Sequence, residues 1–136
     1  MSIDEQKAIK EKHYSEAIRY MENAKETLQK AGKEDKYYND RKYVRTACGT
    51  AYNGVLIALD TYLLLKGIEK TKGRKSIEYY QEHISKIDKK LLKHLTIAYE
   101  ILHLFGYYDG ALSAIVIKEG FNEAYEIINQ IKPDSN

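Results

Sequence analysis

One long apolar stretch, residues 43–65, constrains the fold of this chain more than any other feature of the sequence. It reads YVRTACGTAYNGVLIALDTYLLL. Apolar or small side chains cover about 200° of its helical circumference, whereas a surface helix buries a stripe of about 100°. A helix of this kind needs at least two neighbours to cover it. The stretch therefore predicts the central second helix of an all-α, up-down bundle.

Two adjoining stripes at helical spacing make up this wide apolar arc. They consist of Val44, Cys48, Ala51, Val55, Ala58, Tyr62 and Leu65 in one stripe, and Tyr52, Leu56, Leu59 and Leu63 in the other. Gly49 and Gly54 lie inside the helix although glycine costs about 1 kcal/mol relative to alanine there, which predicts close approach of another backbone. Ile57 and Leu64 fall on the opposite, polar side, one heptad apart. We expect this pair to form a second contact surface, such as a dimer interface.

Helical periodicity and stop signals divide the chain into four to five helices within a single domain, residues 1–136. The predicted helices cover residues 4–31, 35 or 36 to 66, 76–87, 89–105 and 110–131. Asp88 is the predicted N-cap of the fourth helix, and Gly106 is its predicted stop. Ile87 and Phe105 are predicted to face the core. No segment alternates between polar and apolar residues over a sustained length, so we expect no sheet.

Composition points to a protein of the reducing cytoplasm. Cys48 is the one cysteine, which rules out an intrachain disulfide, and the start MSIDEQKAIKEK resembles neither a signal peptide nor an anchor. Tyrosine is unusually frequent, at 13 residues against 2 Phe and no Trp. Neighbouring tyrosines on a helix rarely both face the core, so Tyr79 and Tyr108 are candidates for a protein interface or for base stacking; half-buried tyrosines at the edge of the core are the alternative.

Positive charge is concentrated in the middle of the sequence, although the whole chain carries only +2. Residues 66–93 hold nine basic and four acidic side chains, whereas residues 94–136 hold two basic and six acidic ones. Basic residues can hold phosphates while a tyrosine stacks on a base. The candidate phosphate or nucleic-acid residues are Lys70, Lys72, Arg74, Lys75, Tyr79, Lys89, Lys90 and Lys93. The alternative is an ordinary solvated loop and helix face.

The arrangement of long first and second helices, a shorter pair and a final helix resembles the HEPN family of bacterial helical bundles. Residues 47–67, ACGTAYNGVLIALDTYLLLKG, carry most of the resemblance. It implies an all-α bundle that forms a homodimer, and an activity ranging from RNA cleavage to nucleotide or partner binding. Catalytic members have four to six residues between an Arg and a following His late in the bundle. Here eight residues separate Arg74 from His83, so the resemblance implies a non-catalytic member.

Few residues are placed to perform chemistry. His13 and Glu16 lie on one helix face, as in bundles that bind metals through carboxylates, but a metal site would need further ligands. His103 could act as an acid or base with Glu100, but we favour a structural role for it. Cys48 lies in the buried seam, where a thiol behaves as a small apolar group. We expect no metal, no cofactor and no membrane association.

The residues together favour a non-enzymatic bundle that forms a homodimer and binds a protein partner. The interface candidates are Ile57, Leu64, Tyr79 and Tyr108. One alternative is nucleic-acid or nucleotide binding through the basic segment 66–93. A second alternative is a divergent ribonuclease that uses His83 or His103.

Overall fold

The computed structural model describes residues 1–68 and 75–134, which form an all-α helical bundle with a very small hairpin. The five α-helices are α1 (Ile3–Gln29), α2 (Arg41–Leu65), α3 (Ile77–Ser85), α4 (Lys89–Ala98) and α5 (Ala114–Ile128). A π-helix (Tyr99–Tyr108) continues α4, and a 3₁₀ turn (Asn129–Ile131) continues α5. The all-α prediction is confirmed.

Each α-helix begins at a side chain that caps its free backbone N–H groups. Ser2, Asp40, Ser76, Asp88 and Ser113 each accept a hydrogen bond from a backbone N–H two or three residues further on. The predicted cap at Asp88 is confirmed, at 3.0 Å from its Oδ1 to the Leu91 nitrogen. These caps set where the helices start and therefore which faces they turn to the core.

The central helix α2 packs against α1, the π-helix and α5. Its predicted seam is buried as far as Tyr62. A Cβ on Gly54 would lie 3.3 Å from the Ala17 carbonyl oxygen of α1, so this glycine permits the predicted close approach of two backbones. In length and composition α2 could also cross a bilayer, but half of its most apolar part is buried in the bundle, and the core helix of a soluble protein has the same composition.

The prediction that the chain has no sheet is wrong. Two short antiparallel strands, β1 (Lys33–Glu34) and β2 (Tyr37–Tyr38), form a hairpin between α1 and α2. Gly32 (φ 68°) ends α1 in the left-handed region, and Asp35 (φ 56°) adopts the same region in the turn. Strands of two residues are too short to produce an alternating pattern. Because the hairpin occupies this segment, helix α2 starts at Arg41, five or six residues later than predicted.

The prediction that the fourth helix stops at Gly106 is wrong. The helix continues as the π-helix to Tyr108. A Cβ on Gly106 would collide with both the Sγ and the Cβ of Cys48, so this glycine serves close packing and not termination. The wider π-helical turn, with i→i+5 hydrogen bonds, also changes which side chains face inward. Phe105 is 47% exposed, and Ile87, which lies beyond the end of α3, is exposed as well, so both predictions of a core position are wrong.

The last helix starts at Ala114, four residues later than predicted, because the preceding segment runs beside the hairpin. The Tyr38 N–H donates to the Leu112 carbonyl at 2.8 Å, and Tyr37 forms a bridge with Ser113. Further along, Gly120 lets α5 contact the π-helix, since a Cβ there would lie 2.5 Å from Cγ2 of Ile101. The predicted core residues of this helix, from Ile117 to Ile131, are buried.

Candidate functional site

Three of the four predicted interface residues line one groove on the outer face of α2. Ile57, Leu64 and Tyr79 surround a hollow of about 230 Å³, together with Asp60 and Lys75; we call this the α2 groove. Leu64 is 39% exposed, and Ile57 is half-buried. Ile57 and Tyr79, which are 22 positions apart in the sequence, therefore lie on one surface. Their apolar side chains are next to the ion pair of Asp60 and Lys75.

A polar network closes one wall of the α2 groove. Lys75 Nζ lies 3.2 Å from Asp60 Oδ1, and the Tyr80 hydroxyl donates a hydrogen bond to the same oxygen at 2.8 Å. Only 10% of the Lys75 side chain is exposed. Burial, followed by the hydrogen bond to Asp60, raises the pKa of Tyr80 above its usual range, so the phenol stays protonated and keeps donating. The network therefore holds Lys75 at the wall of the groove.

The fourth predicted residue, Tyr108, belongs to a different cluster, which surrounds His103 of the π-helix. The rings of Tyr99, His103 and Tyr107 stack in a column, with centroids 5.2 and 5.9 Å apart. Tyr108 meets His103 edge-on at 4.9 Å, and Tyr52 of α2 packs on His103 at the same distance. We call these five residues the aromatic column. Burial raises the pKa of Tyr52 above its usual range, with a smaller contribution from Tyr99.

A groove of about 390 Å³ runs along the aromatic column and the N-terminal half of α2. On its floor, the Thr46 and Thr50 hydroxyls donate to backbone carbonyls of α2 at 3.0 Å, so their remaining lone pairs can only accept. Gly49 leaves room for the Tyr107 ring, which a Cβ would approach to 2.9 Å. His103 is half-buried beside Tyr107, as predicted. No acidic side chain or cysteine of the described residues lines this groove, whereas Lys75 and Glu78 line a second hollow that His103 also borders.

The basic segment is only partly described by the structure. Lys70, Lys72 and Arg74 lie outside the described residues. Lys75 is paired with Asp60. Tyr79 makes edge-to-face contacts with the rings of His83 and Tyr80, whose centroids lie 4.5 and 5.4 Å from its own. The three remaining candidates lie exposed in the first turns of α4: Lys89, Lys90 and Lys93.

The residues weighed for catalysis or metal binding do not converge. His13 Nδ1 lies 3.6 Å from Glu16 Oε2, but within residues 1–68 and 75–134 no three His, Cys, Asp or Glu side chains are arranged to hold a metal ion. Burial raises the pKa of the Cys48 thiol to about 12, so the sulfur stays protonated and is a poor nucleophile.

Sequence reasoning missed one buried polar pair. His94 Nδ1 and Glu123 Oε2 lie 2.5 Å apart between α4 and α5, and each side chain is less than one-fifth exposed. The partners are 29 positions apart, and no local spacing connects them. A cluster of three lysines around an apolar hollow, between α1, the hairpin and α5, was also not anticipated.

Comparison with known proteins places the chain in a family but assigns it no activity. The sequence pattern of a family described as a domain of unknown function (DUF5618) matches residues 12–133. No curated protein matches the chain. A solved structure, a protein of unknown function from Dyadobacter fermentans, is 46% identical and similar in fold, with a TM-score of 0.81 over 89% of this chain and 94% of that one. Because the family pattern covers most of its length, this chain belongs to the DUF5618 family.

Proposed function

We propose that this protein is a non-catalytic, HEPN-like interaction module of the cytoplasm that forms a homodimer and binds a protein partner. The observation that carries the proposal is the α2 groove, where Ile57, Leu64 and Tyr79 provide an apolar surface on the outside of the central helix. Most of α2 is buried in its own bundle, and Ile57 and Tyr79 also pack partly against that core. Leu64, at 39% exposure, is the apolar side chain that the bundle leaves most accessible among these three.

A symmetric dimer through the α2 groove agrees with the chemistry of its wall. In a two-fold dimer the same patch of both subunits meets, so each contact between two different residues occurs twice. Asp60 and Lys75 pair with each other, so neither places an unpaired charge in the contact. Glu16, beside His13, adds a carboxylate on the α1 side of the groove. Ile57, Leu64 and Tyr79 would form the apolar part of that contact.

The aromatic column offers the partner protein a separate surface. Tyr107 and Tyr108 are about half exposed, and Phe105 on the same π-helix is similarly accessible. Tyrosines and phenylalanines are enriched in protein interfaces, because they bury a large area with little loss of side-chain entropy. A π-helix is also an uncommon element that is often found at functional sites.

The HEPN-like part of the proposal rests on the helix order, the pattern of residues 47–67 and the all-α bundle. The non-catalytic part rests on the unreactive Cys48 and on the eight residues that separate Arg74 from His83. It predicts that purified protein leaves RNA intact on prolonged incubation. RNA degradation that His103→Ala or His83→Ala abolishes would overturn it.

Static light scattering after size-exclusion chromatography tests the dimer. The wild-type protein should elute at twice the mass of the chain, and Leu64→Glu should shift it to the monomer mass, because it places a charge in the apolar contact. Ile3→Glu is the matched control, since Ile3 is exposed at the start of α1, outside the α2 groove. A monomeric wild type, or a dimer that Leu64→Glu leaves intact, would remove this part of the proposal.

The basic segment supports a second candidate, nucleic-acid or nucleotide binding. Lys89, Lys90 and Lys93 occupy the first turns of α4, where the helix dipole disfavours positive charge, so an external anion would relieve their repulsion. Fluorescence anisotropy with single-stranded RNA at rising salt is the test. Affinity that falls with salt and with Lys→Gln changes at these positions would support the candidate. Absent or salt-independent binding would exclude it.

A further inference from the structure

A pocket between α1, the hairpin and α5 combines an apolar floor with three positive charges at its rim. It consists of two overlapping hollows of about 400 and 380 Å³ that share Lys25, Leu28, Lys33 and Tyr38. Lys118 of α5 lines the second hollow. We call this the lysine-rimmed pocket. Its volume lies in the range of small-molecule sites.

The floor of the lysine-rimmed pocket is apolar and aromatic. It includes Phe121, which is almost fully buried, and the half-buried Tyr38, Leu28 and Tyr125. Burial raises the pKa of the Tyr38 phenol, so its ring stays neutral in ordinary conditions. Such a surface favours an apolar chain or a ring that covers it and excludes water.

The charges at the rim are not neutralised. Within the residues that the structure describes, no acidic side chain lines the pocket, and none lies within 4.0 Å of the Lys25, Lys33 or Lys118 ammonium groups. Lys25 already lies 4.7 Å from the centre of the Tyr125 ring, in a cation–π contact. Lys33 and Lys118 have no such contact and are exposed, so they are the groups that can reach an anion.

We propose that the lysine-rimmed pocket binds a small amphipathic carboxylate, with its apolar body on Tyr38, Phe121 and Tyr125 and its carboxylate between Lys33 and Lys118. A cation is excluded by three lysines, and a neutral apolar molecule leaves them unpaired. A small hydrophilic anion gains nothing from the aromatic floor. Only a ligand with both parts satisfies both features of the pocket. This site is separate from the proposed dimer and partner surfaces, so either proposal can fail without the other.

The hairpin explains why this pocket exists. Gly32 turns the chain from α1 into β1 with a positive φ, which places Lys33 opposite Tyr38 in the strand register. The Tyr38 N–H then bonds to the Leu112 carbonyl and brings the start of α5 alongside. Elements from three parts of the sequence are thereby joined around one hollow.

The direct test is a titration of ¹⁵N-labelled full-length protein with octanoate below its micelle-forming concentration, followed by NMR. The expected result is saturable shifts of amides around Lys33, Tyr38, Lys118 and Tyr125. Octanol and octylammonium carry the same chain without the negative charge, and acetate carries the charge without the chain. All three should bind at least about tenfold more weakly, given the usual strength of charge-assisted hydrogen bonds and of apolar burial.

Two variants assign the binding to this pocket. Lys33→Gln combined with Lys118→Gln should weaken octanoate at least about tenfold and remove its preference over octanol. Ile115→Asp should weaken it too, because this 67% exposed residue lines the pocket and would bring in a negative charge. Both variants alter exposed side chains, and circular dichroism checks that they fold. Lys7→Gln combined with Lys12→Gln is the matched control on α1, outside the pocket, and should bind as the wild type does.

Three results would overturn the proposal. The first is shifts that do not saturate, and the second is octanol or octylammonium binding as tightly as octanoate. The third is an equal effect of the pocket and control lysine pairs. A parallel titration with a peptide that contains both acidic and apolar residues tests whether a protein segment occupies the pocket instead. Binding of that peptide without binding of octanoate would replace the small carboxylate with a protein segment.

Discussion

Gly106 of the π-helix lies directly against Cys48 of α2, so closely that a methyl group on the glycine would collide with the thiol. Gly106→Ala should therefore lower the free energy of unfolding by about 1–3 kcal/mol, the usual cost of overpacking a filled core. Urea denaturation followed by circular dichroism measures the change. Combining it with Cys48→Ala should cost less than the sum of the two single changes, because loss of the Sγ removes one of the two collisions, although that with the Cβ remains.

Gly49→Ala is the matched control for the glycine of the π-helix. Its new methyl group would meet only the Tyr107 ring, which is about half exposed and can move away. Replacing a glycine inside a helix also gains about 1 kcal/mol of helix propensity. We expect little or no loss of stability at Gly49. Equal losses at both glycines would show that the contact with Cys48 is not what makes Gly106 necessary.

The apolar arc of α2 was enough to predict an all-α bundle with this helix at its centre. A wide arc can be satisfied only by neighbours on several sides, and α1, the π-helix and α5 provide them. The same reasoning singled out Ile57 and Leu64, because both side chains lie apart from the seam, and both line the α2 groove. Sequence periodicity is reliable here because the helix is long and its pattern repeats.

The hairpin, the π-helix and the lysine-rimmed pocket could not be predicted in this way. Two-residue strands leave no period, and Gly106 carries the same sequence signal whether it ends a helix or packs against Cys48. No local spacing connects Lys25, Lys33 and Lys118 in the sequence. They line one pocket because the turn at Gly32 brings the hairpin beside α1 and α5. Local sequence patterns do not predict contacts between residues that are far apart in the sequence.

Cys48 should make stability fall with pH in the alkaline range. Burial raises the pKa of its thiol from 9.0 to about 12, so the folded state holds a proton that the unfolded chain releases. Its contribution is fully present below pH 9 and is lost as pH rises from 9 towards 12, at up to about 1.4 kcal/mol per pH unit. Urea denaturation of wild type and Cys48→Ala at pH 8.5–10.5 measures this slope.

The Cys48→Ala variant should lose stability more slowly with rising pH than the wild type does over this range. Buried tyrosines with raised pKa values, Tyr52 and Tyr80, add their own loss above about pH 10 in both proteins, so the comparison is sharpest below that value. Parallel pH profiles for the two proteins would mean that the thiol is more accessible to solvent than its position in the seam indicates.

The hydroxyl of Tyr80 should contribute measurably to stability through Asp60. Tyr80→Phe removes a hydrogen bond of 2.8 Å from the wall of the α2 groove, which should lower the free energy of unfolding by about 1 kcal/mol. Tyr79→Phe is the control, because the neighbouring phenol contacts rings but makes no hydrogen bond within the described residues. Its effect should stay within about 0.5 kcal/mol. A larger loss of stability for Tyr79→Phe than for Tyr80→Phe would contradict the assignment of the stabilising hydrogen bond to Tyr80.

The pair of His94 and Glu123 should be energetically coupled, because it joins α4 to α5 from a mostly buried position. A double-mutant cycle with His94→Ala and Glu123→Ala should give a coupling energy of about 1–3 kcal/mol in urea denaturation. The exposed pair of Lys86 and Glu82, at 3.7 Å on α3 and its C-cap, provides the comparison. Water and salt screen that pair, so its coupling should be below about 0.5 kcal/mol. Equal coupling in the two cycles would mean that the buried pair adds no more to the packing of α4 on α5 than a surface contact does.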